Sequence, residues 1–376
     1  MKICFLAGAD SIHSYRWVKF FADQGHAVDW ISLAALEFPP VQGISFHRIR
    51  PRGNGALTFL GAVLEVRRLV KQIAPDILHA HYVGGYGLMG ALTRLHPFVA
   101  TAWGSDVLFA GKSRIRGPFV KHVLRSADLI TCDADHMITA MEALGADRAK
   151  MRIIYFGIDT ARFRPAPQDA DLRKRLGGGD GPLVISLRNF HPVYDLETLI
   201  KAVPEVLRRV PNAVFVIVGT GPQEGMLKDL AASLGVSQQV RFLGRVENAQ
   251  LPTYLSSMDV YVSTSLSDAG IAASTAEAMA CGLPVVITDS GENQKWLEDG
   301  EGGYIVPTRD PEALADKVAF LLENPEIRPR CGEVNRRTIE VRNDYYREMA
   351  RMEGLYRQLT SGPTLAGAPQ RVRQES

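Results

Sequence analysis

The stretch SLSDAGIAASTAEAMACGLPVVITD, residues 265–289, carries the signals of a loop, a helix and a buried strand in close succession. A helix is predicted to begin near Ser274 or Thr275 and to end at Gly282, because glycine commonly follows the last helical residue. The free N–H groups of its first turn then point toward residues 270–273, whose small side chains let a ligand approach. The stretch therefore predicts a site for a phosphorylated ligand.

The same residues also fit a capping box, in which Glu277 folds back onto the backbone of Ser274 and binds no ligand. The preceding residues favour the ligand site. An apolar run over 259–262 predicts a buried strand, and the polar residues 263–265 and Asp268 follow it. Ligands of parallel α/β proteins bind at the carboxyl ends of the strands, so this is the expected position for a site.

Short apolar, β-branched runs alternate with longer amphipathic stretches along the chain, which is typical of repeated βα units and parallel sheets. They form two sets, separated by the glycine-rich residues 177–182. The first set is 3–7, 27–33, 44–49, 76–80, 98–103, 128–132 and 151–155, and the second is 183–187, 213–218, 240–243, 259–262, 284–288 and 304–306. The predicted fold class is α/β, with two Rossmann-like parallel-sheet domains facing each other across a cleft.

The domain bounds follow from these two sets. We predict an N-terminal domain over 1–164, a second domain over 165–343, a helix over 344–361 that crosses back to the first domain, and a disordered tail over 362–376. Ligands are expected between the carboxyl ends of the two sheets. The residues expected there are Gly8, Asp106, Arg188, Gly219 and Asp268.

The composition is that of a globular protein, with 46% hydrophobic and 22% charged residues among 376. No segment approaches the roughly 18 apolar residues of a membrane span. Residues 1–10 are interpreted as a first strand rather than a signal peptide, because no cleavage pattern follows them. The four cysteines form no CxxC pair and are expected to be reduced core residues. We therefore expect a cytoplasmic protein.

The small net charge of +2 conceals a basic first half. Residues 1–164 hold 20 Lys and Arg against 13 Asp and Glu, whereas the remainder holds 23 against 28. Residues 112–125 interleave basic and apolar side chains, a pattern that fits peripheral contact with an anionic membrane at its inner face, or an ordinary solvated helix face. The segment lacks stacking aromatics and a nucleic-acid-binding motif, so no nucleic acid partner is expected.

Two features of the second set point to phosphate. Arg188 lies at the end of the strand over 183–187, where a guanidinium can hold phosphate oxygens bidentately; a surface salt bridge is the alternative. The segment VFVIVGTGP, residues 214–222, predicts a strand that enters a glycine turn at Gly219. Such a turn also occurs without any ligand, because glycine is the usual residue there.

Two features of the first set are less specific. His13 follows the first strand and is a candidate contact for a ligand, or only a residue at a helix start. Residues 133–135, Asp-Ala-Asp, match a metal-binding pattern, but a loop or helix cap is favoured, so no metal site is predicted.

Several motifs, taken in order, resemble the landmarks of retaining glycosyltransferase family 4. They are DILHAH at 76–81, WGSD at 103–106, FGID at 156–159, the strand before Arg188, VGTGP at 218–222, FLGRV at 242–246 and EAMACG at 277–282. The resemblance covers about residues 1–345, and EAMACG is its most specific element. It implies a GT-B fold and transfer of a hexose-like sugar from a nucleotide-sugar, with retention at the anomeric carbon.

The resemblance also implies the substrates, with the domain over 1–164 binding the acceptor and the domain over 165–343 binding the nucleotide-sugar. A UDP-sugar is the favoured donor and a GDP-sugar is possible, with no further cofactor and no metal. The acceptor is a glycan or a lipid-linked molecule in the synthesis of surface polysaccharide or glycoconjugate. The departing phosphate itself takes the acceptor's proton, so the protein supplies positioning and charge stabilisation.

Site roles follow on the matching positions. Glu277 would bind the ribose, the backbone of Arg245 and Val246 the base, and the amides of Gly270 and Ile271 the donor sugar. Arg188 and the helix start at Ser274 and Thr275 would bind the phosphates. The predicted catalytic residues are Asp268, Arg188 and Asp106; Gly219 and Tyr194 complete the donor site, and Gly8, His13 and Trp103 are the predicted acceptor contacts.

This chain departs from the family pattern at three positions. Tyr194 stands nearest the usual lysine, Asp268 lies one position before the usual glutamate, and Trp103 replaces the usual histidine. The departures keep two alternatives open: a nucleotide-sugar epimerase, which would need acid and base side chains beside the sugar, and a noncatalytic nucleotide-sugar-binding subunit.

Overall fold

The computed structural model describes residues 1–51, 53, 55–108, 113–268 and 270–361. The predicted disordered tail, residues 362–376, lies outside the described residues. Thirteen strands are present in the described part of the chain: β1 Lys2–Leu6, β2 Ala27–Ser32, β3 Ile44–Arg48, β4 Ile77–His81, β5 Phe98–Thr101, β6 Leu129–Cys132, β7 Met151–Ile153, β8 Leu183–Leu187, β9 Val214–Val218, β10 Val240–Gly244, β11 Val260–Ser263, β12 Val285–Thr288 and β13 Gly303–Val306.

The helices alternate with the strands, as the sequence pattern predicts. They are α1 Ile12–Asp23, α2 Ala56–Ile73, α3 Gly85–Thr93, α4 Ser105–Leu108, α5 Gly117–Ser126, α6 Asp135–Ala143, α7 Ala170–Arg175, α8 Leu196–Arg209, α9 Glu224–Ser233, α10 Leu251–Ser256, α11 Ala273–Ala280, α12 Asn293–Trp296, α13 Pro311–Glu323, α14 Arg328–Arg342 and α15 Tyr345–Thr360.

Every predicted strand has a counterpart in one of two parallel sheets. The first sheet has the order β3-β2-β1-β4-β5-β6-β7 and the second has β10-β9-β8-β11-β12-β13. The order reverses direction beside β1 in the first sheet and beside β8 in the second, so each sheet has a switch point at which neighbouring loops diverge. Gly8 follows β1 and Arg188 follows β8, which places a predicted site residue at each switch point.

The central strands β4, β9 and β11 are buried on both faces, as expected for sheets covered by helices, whereas the edge strands β3 and β10 are only partly buried. In the second unit, Val184, Phe215 and Val262 pack with apolar residues of α8 and α13 in one core cluster. The four cysteines are all buried and free, as the sequence predicts. None of the helices in the described ranges is long and apolar enough to cross a membrane.

The chain divides into two compact units, residues 1–156 with 347–361, and Gly157–Tyr346. The boundary lies eight residues before the predicted one. Gly157 donates its N–H to Asn343 Oδ1 at 3.1 Å, and Ile158 donates to the Asn343 carbonyl at 2.7 Å. These bonds attach residues 157–158 to the residue that follows α14, and so to the second unit.

Helix α15 joins the first unit through polar contacts that the sequence pattern does not reveal. Tyr356 Oη lies 2.5 Å from His79 Nδ1 on β4, and both side chains are fully buried. Glu353 pairs with His26 at 3.1 Å, and Glu348 accepts the N–H of Tyr155 at 2.9 Å. The end of the chain thus completes the core of its first unit.

Candidate functional site

A pocket of about 240 Å³ opens at the carboxyl edge of the second sheet. Its walls come from the ends of β8, β9 and β10 and from α11. The lining residues are Leu187, Arg188, Asn189, Tyr194, Val218, Gly219, Arg245, Val246, Leu251, Ser274 and Glu277. Seven of these were predicted from the sequence as donor-site residues, so the structure brings most of that predicted set together.

Residues that follow three adjacent strands form the floor of the pocket. Arg188 follows β8, Gly219 follows β9 and Arg245 follows β10, and these strands are neighbours in the sheet. Gly219 has a φ of +149°, and a Cβ there would lie 2.4 Å from the Arg188 carbonyl oxygen. Only glycine allows this approach, because any side chain would push the two strand ends apart.

The guanidinium of Arg188 is the best-anchored charge in this pocket. It donates from Nη2 to Asp268 Oδ1 at 2.6 Å, and the two side chains are only 8% and 12% exposed. Its Nη1 lies 3.5 Å from Ser274 Oγ. The salt bridge of the predicted alternative does form, but it is largely shielded from solvent rather than on the surface. Removing one partner of such a pair leaves an uncompensated charge, which is costly.

The ring of Tyr194 lies against the same guanidinium. The Arg188 Cζ atom is 4.2 Å from the ring centroid, within the range of a cation–π contact. Tyr194 ends a short 3₁₀ helix, Pro192–Tyr194, and Asp195 follows it with a φ of +45°. The position nearest the family's usual lysine thus carries a ring face rather than a second cation.

Helix α11 begins one residue earlier than predicted. Its N-cap is Ala272, which has no side-chain oxygen, so the predicted capping box at Ser274 is wrong. Ser274 Oγ instead accepts a hydrogen bond from Tyr261 Oη at 2.9 Å. The helix ends as predicted, because Gly282 follows the C-cap with a φ of +77°. Ser274 and Glu277 both line the pocket.

Other predicted donor residues lie beside the pocket rather than in its wall. The Thr275 side chain is buried and donates to Tyr261 Oη at 3.4 Å, so its backbone N–H is the group that faces the helix start. Ile271 is also buried, as is Gly270. Gly291 has a φ of +58°, and a Cβ there would lie 2.3 Å from the Asp268 carbonyl oxygen. This close approach holds the loop in place.

Several pocket residues were not predicted from the sequence. Asn189 and Leu251 line the pocket, and Tyr261 orients Ser274 from the interior of β11. Asn189 is adjacent to a predicted strand end, which is a usable signal. Leu251 begins α10 and Tyr261 lies within an apolar strand, so neither position has a local pattern that separates it from the core.

Asp106 anchors loops at the carboxyl edge of the first sheet. Its Oδ2 accepts the N–H of Val83 at 2.8 Å and its Oδ1 accepts that of Trp103 at 3.1 Å. Burial raises the pKa of Asp106, and these backbone N–H groups oppose that rise. The loops after β4 and β5 are therefore tied to one carboxyl group, and the catalytic role of Asp106 stays a prediction.

An aromatic cluster lies near this anchor. The rings of His13 and Trp103 are 5.3 Å apart, Trp103 is 5.6 Å from His81, and Phe156 is 6.2 Å from His13. Burial, followed by the charge of Arg16, lowers the pKa of His13, so its imidazole is neutral at pH 7. Burial also lowers the pKa of His81 to about 3. The cluster therefore offers ring faces rather than charge.

Gly8 lies at the end of β1, where a Cβ would meet Asp10 Oδ1 at 2.5 Å. The two aspartates of the Asp-Ala-Asp pattern flank Ala134, which is the N-cap of α6 and makes no side-chain cap. In the part of the chain that the structure describes, no group of three or more His, Cys, Asp or Glu residues is placed to hold a metal ion.

The basic segment of the first unit combines charge with exposed apolar surface. Ile115 is 78% exposed and Phe119 is 51% exposed, and the basic residues Arg114, Arg116 and Lys121 are exposed beside them. Helix α5 begins only at Gly117, so the first basic residues lie in the turn before it. Lys112, the first residue of the predicted segment, lies outside the described residues.

Comparison with protein families agrees with this geometry. Residues 168–338 match the family described as glycosyl transferases group 1, and residues 2–134 match the family described as glycosyl transferase 4-like. Together the two matches span most of both units.

A characterised relative supports the family assignment. The chain is 32% identical over 263 residues to the GDP-mannose-dependent alpha-(1-6)-phosphatidylinositol monomannoside mannosyltransferase of Mycolicibacterium smegmatis, covering 66% of this chain and 68% of that protein. It is 23% identical over 334 residues to the N-acetyl-alpha-D-glucosaminyl L-malate synthase of Bacillus anthracis, covering 85% and 86% of the two chains.

Solved structures show the fold. Sucrose-phosphate synthase from Thermosynechococcus elongatus superimposes with a TM-score of 0.81 at 20% identity, covering 96% of this chain and 99% of that one. Anabaena HepE, solved in complex with UDP-glucose, gives a TM-score of 0.79 at 21% identity, covering 95% and 100%. The chain belongs to the group 1, 4-like glycosyltransferases, and it is a retaining enzyme of the GT-B fold that transfers a sugar from a nucleotide-sugar.

Proposed function

We propose that the pocket at the carboxyl edge of the second sheet binds the nucleotide-sugar donor. The observation that carries this proposal is the presence of Arg188, Glu277 and Ser274 in one pocket wall around Gly219. A cation beside a helix start suits a diphosphate, and a carboxylate suits the two hydroxyls of a ribose. The backbone of Arg245 and Val246, at the end of β10, would then hold the base.

In this arrangement the chemistry needs no protein nucleophile. The acceptor oxygen forms a bond to the anomeric carbon as the bond from that carbon to the phosphate oxygen breaks on the same face of the sugar. The acceptor's proton passes to the departing phosphate. The guanidinium of Arg188 stabilises the charge that develops on that phosphate, which is the term expected to contribute most to the rate.

The base and sugar of the donor are inferred from different sources. The family resemblance of the sequence favours a UDP-sugar, and that stays a prediction. The relative at 32% identity is named for its dependence on GDP-mannose. We therefore infer that GDP-mannose is the first donor to test, with UDP-hexoses as the alternative.

We infer that the acceptor is a lipid-linked or glycan molecule handled at a membrane surface. That relative is named for a phosphatidylinositol mannoside acceptor. The first unit also carries Ile115 and Phe119 exposed among basic side chains, and this combination suits the surface of an anionic bilayer. The cluster of His13 and Trp103 would contact the acceptor through its ring faces. The protein would then act in the cytoplasm, at the inner face of the membrane.

A ligand panel tests the donor assignment. The purified protein would be titrated by calorimetry with GDP, UDP, ADP and CDP, each with and without Mg²⁺. Saturable binding of GDP or UDP is expected, independent of Mg²⁺. The Asp289→Asn variant should bind the preferred nucleotide as the wild type does, because the Asp289 carboxylate accepts from Gln294 and does not line the pocket. Failure of all four nucleotides to bind would refute the donor site.

Turnover separates transfer from the remaining alternatives. The preferred nucleotide-sugar would be incubated with phospholipid and glycan acceptors, and the product's anomeric configuration read by NMR. Transfer with retention is expected. Interconversion of the nucleotide-sugar without an acceptor would indicate epimerase activity instead.

A further inference from the structure

The guanidinium of Arg188 is held on its face and at one of its nitrogens. The Tyr194 ring covers the face, with the Cζ atom 4.2 Å from the centroid. Asp268 accepts from Nη2 at 2.6 Å. The Nε atom is buried and has no hydrogen-bond partner among the described residues, and Nη1 makes only a long contact to Ser274. The Nη1 hydrogens therefore remain for a further anionic group.

The two residues that hold the guanidinium lie on segments that are bonded to each other. The Tyr194 carbonyl accepts from Thr264 Oγ1 at 3.0 Å, and the Val193 carbonyl accepts the N–H of Leu266 at 2.8 Å. Thr264 and Leu266 begin the loop that reaches Asp268. The ring and the carboxylate therefore form one support, in which neither is free to shift alone.

We propose that Tyr194 is a positioning residue that fixes the guanidinium plane of Arg188 for the donor diphosphate, in place of a second phosphate-binding cation. The proposal rests on the proposed donor site. An arginine side chain loses rotamer entropy when it binds a phosphate, and a ring face that already holds it reduces that loss. The site thereby gains affinity from orientation rather than from additional charge.

The contact with Arg188 uses the ring of Tyr194 and not its hydroxyl, so the effects of the ring and of the hydroxyl can be tested separately. Calorimetric titration with the preferred nucleoside diphosphate would compare Tyr194→Phe with Tyr194→Leu. The ring alone is required, so Tyr194→Phe is expected within about twofold of the wild-type affinity. Tyr194→Leu is expected to weaken binding by about five- to tenfold, the fold-change that corresponds to a partly buried cation–π contact.

A second set of variants tests whether the Tyr194 ring acts through Arg188. In the paired variant Arg188→Gln with Asp268→Asn, both charges are removed together, so neither is left buried alone. Adding Tyr194→Leu to this background is expected to cause no further loss of affinity. Tyr304→Leu is the matched control, because that ring also lies near a cation, Lys317 at 5.2 Å, but lies outside the pocket.

Other results of these titrations would contradict the proposed role of Tyr194. Equal losses for Tyr194→Phe and Tyr194→Leu would mean that the hydroxyl matters, and the inference would be wrong. It would also be wrong if Tyr194→Leu bound like wild type, or if the loss persisted in the paired background. Tyr194→Met repeats the test if Tyr194→Leu does not fold. Failure of the wild-type protein to bind any nucleoside diphosphate would refute the proposed function, and this inference with it.

Discussion

The carboxyl edges of the two sheets are built from different chemistry. The second sheet ends in a charged pocket, where Arg188 pairs with Asp268 beside Glu277. At the carboxyl edge of the first sheet, the His13 ring lies against the Trp103 ring. The carboxylate of Asp106 there accepts backbone N–H groups. The difference suggests that one edge recognises a ligand by charge and the other by the apolar faces of a ring.

The largest effect is expected from Arg188→Gln. The change removes the cation beside the departing phosphate and leaves Asp268 buried without its partner, so kcat/KM should fall by about 10²- to 10³-fold. Steady-state transfer assays measure this. Arg209→Gln is the control, since Arg209 pairs with Glu323 and Asp316 on the surface. Activity within tenfold of wild type would show that the charged edge does not govern the reaction.

The proposed membrane-contact segment of the first unit should show the next largest effect. Replacing Arg114, Arg116 and Lys121 with Gln is expected to weaken binding to anionic liposomes by about 100-fold, since each basic residue contributes on the order of 1 kcal/mol. Vesicle sedimentation at two salt concentrations measures this.

A control triple variant keeps the same change in net charge. It replaces Lys174, Arg330 and Arg337, which are exposed residues of the second unit, and it should bind liposomes as the wild type does. Equal weakening of liposome binding in both triple variants would mean that the net charge of the protein, rather than this segment, determines the binding.

The ribose contact comes third. Glu277→Gln is expected to weaken binding of the preferred ribonucleotide by about tenfold, because a charge-assisted hydrogen bond becomes a neutral one. Binding of the 2′,3′-dideoxy analogue should not change, and calorimetry compares the two ligands. Glu301→Gln, which affects a surface pair with Arg330, is the control. A similar loss for both ligands would assign Glu277 to a different part of the donor.

The smallest effect is expected at the aromatic edge. Trp103→Ala should raise the acceptor KM by about three- to tenfold, the range of a single ring contact, while donor affinity stays unchanged. Trp103→Phe should keep most of the contact. A change in donor affinity instead would place Trp103 in the donor site, and the contrast between the two edges would fail.

The fold could be predicted almost completely from local patterns. Buried parallel strands read as short apolar runs, and all thirteen appear at the expected positions. The strand ends differ where loop contacts form: β5 ends at Thr101, and in the loop that follows it Asp106 accepts the N–H of Trp103. Such a bond forms within a loop and has no periodic signature.

The candidate site was predicted less evenly, for the same reason. Arg188 and Glu277 stand in recognisable motifs at the ends of secondary structure. The partners of Arg188 do not. Asp268 lies 80 residues from Arg188 along the chain, and the contact with Tyr194 depends on the plane of its ring. The helix start was misplaced because an alanine N-cap gives no signal.

The contact between Tyr356 and His79 also constrains biosynthesis. A ribosome translates β4 hundreds of codons before it reaches α15, yet the core around His79 includes the Tyr356 ring. A nascent chain that ends at residue 344 should therefore expose its first unit to protease, while the full-length chain resists. The first unit is therefore expected to finish folding only after α15 has been translated.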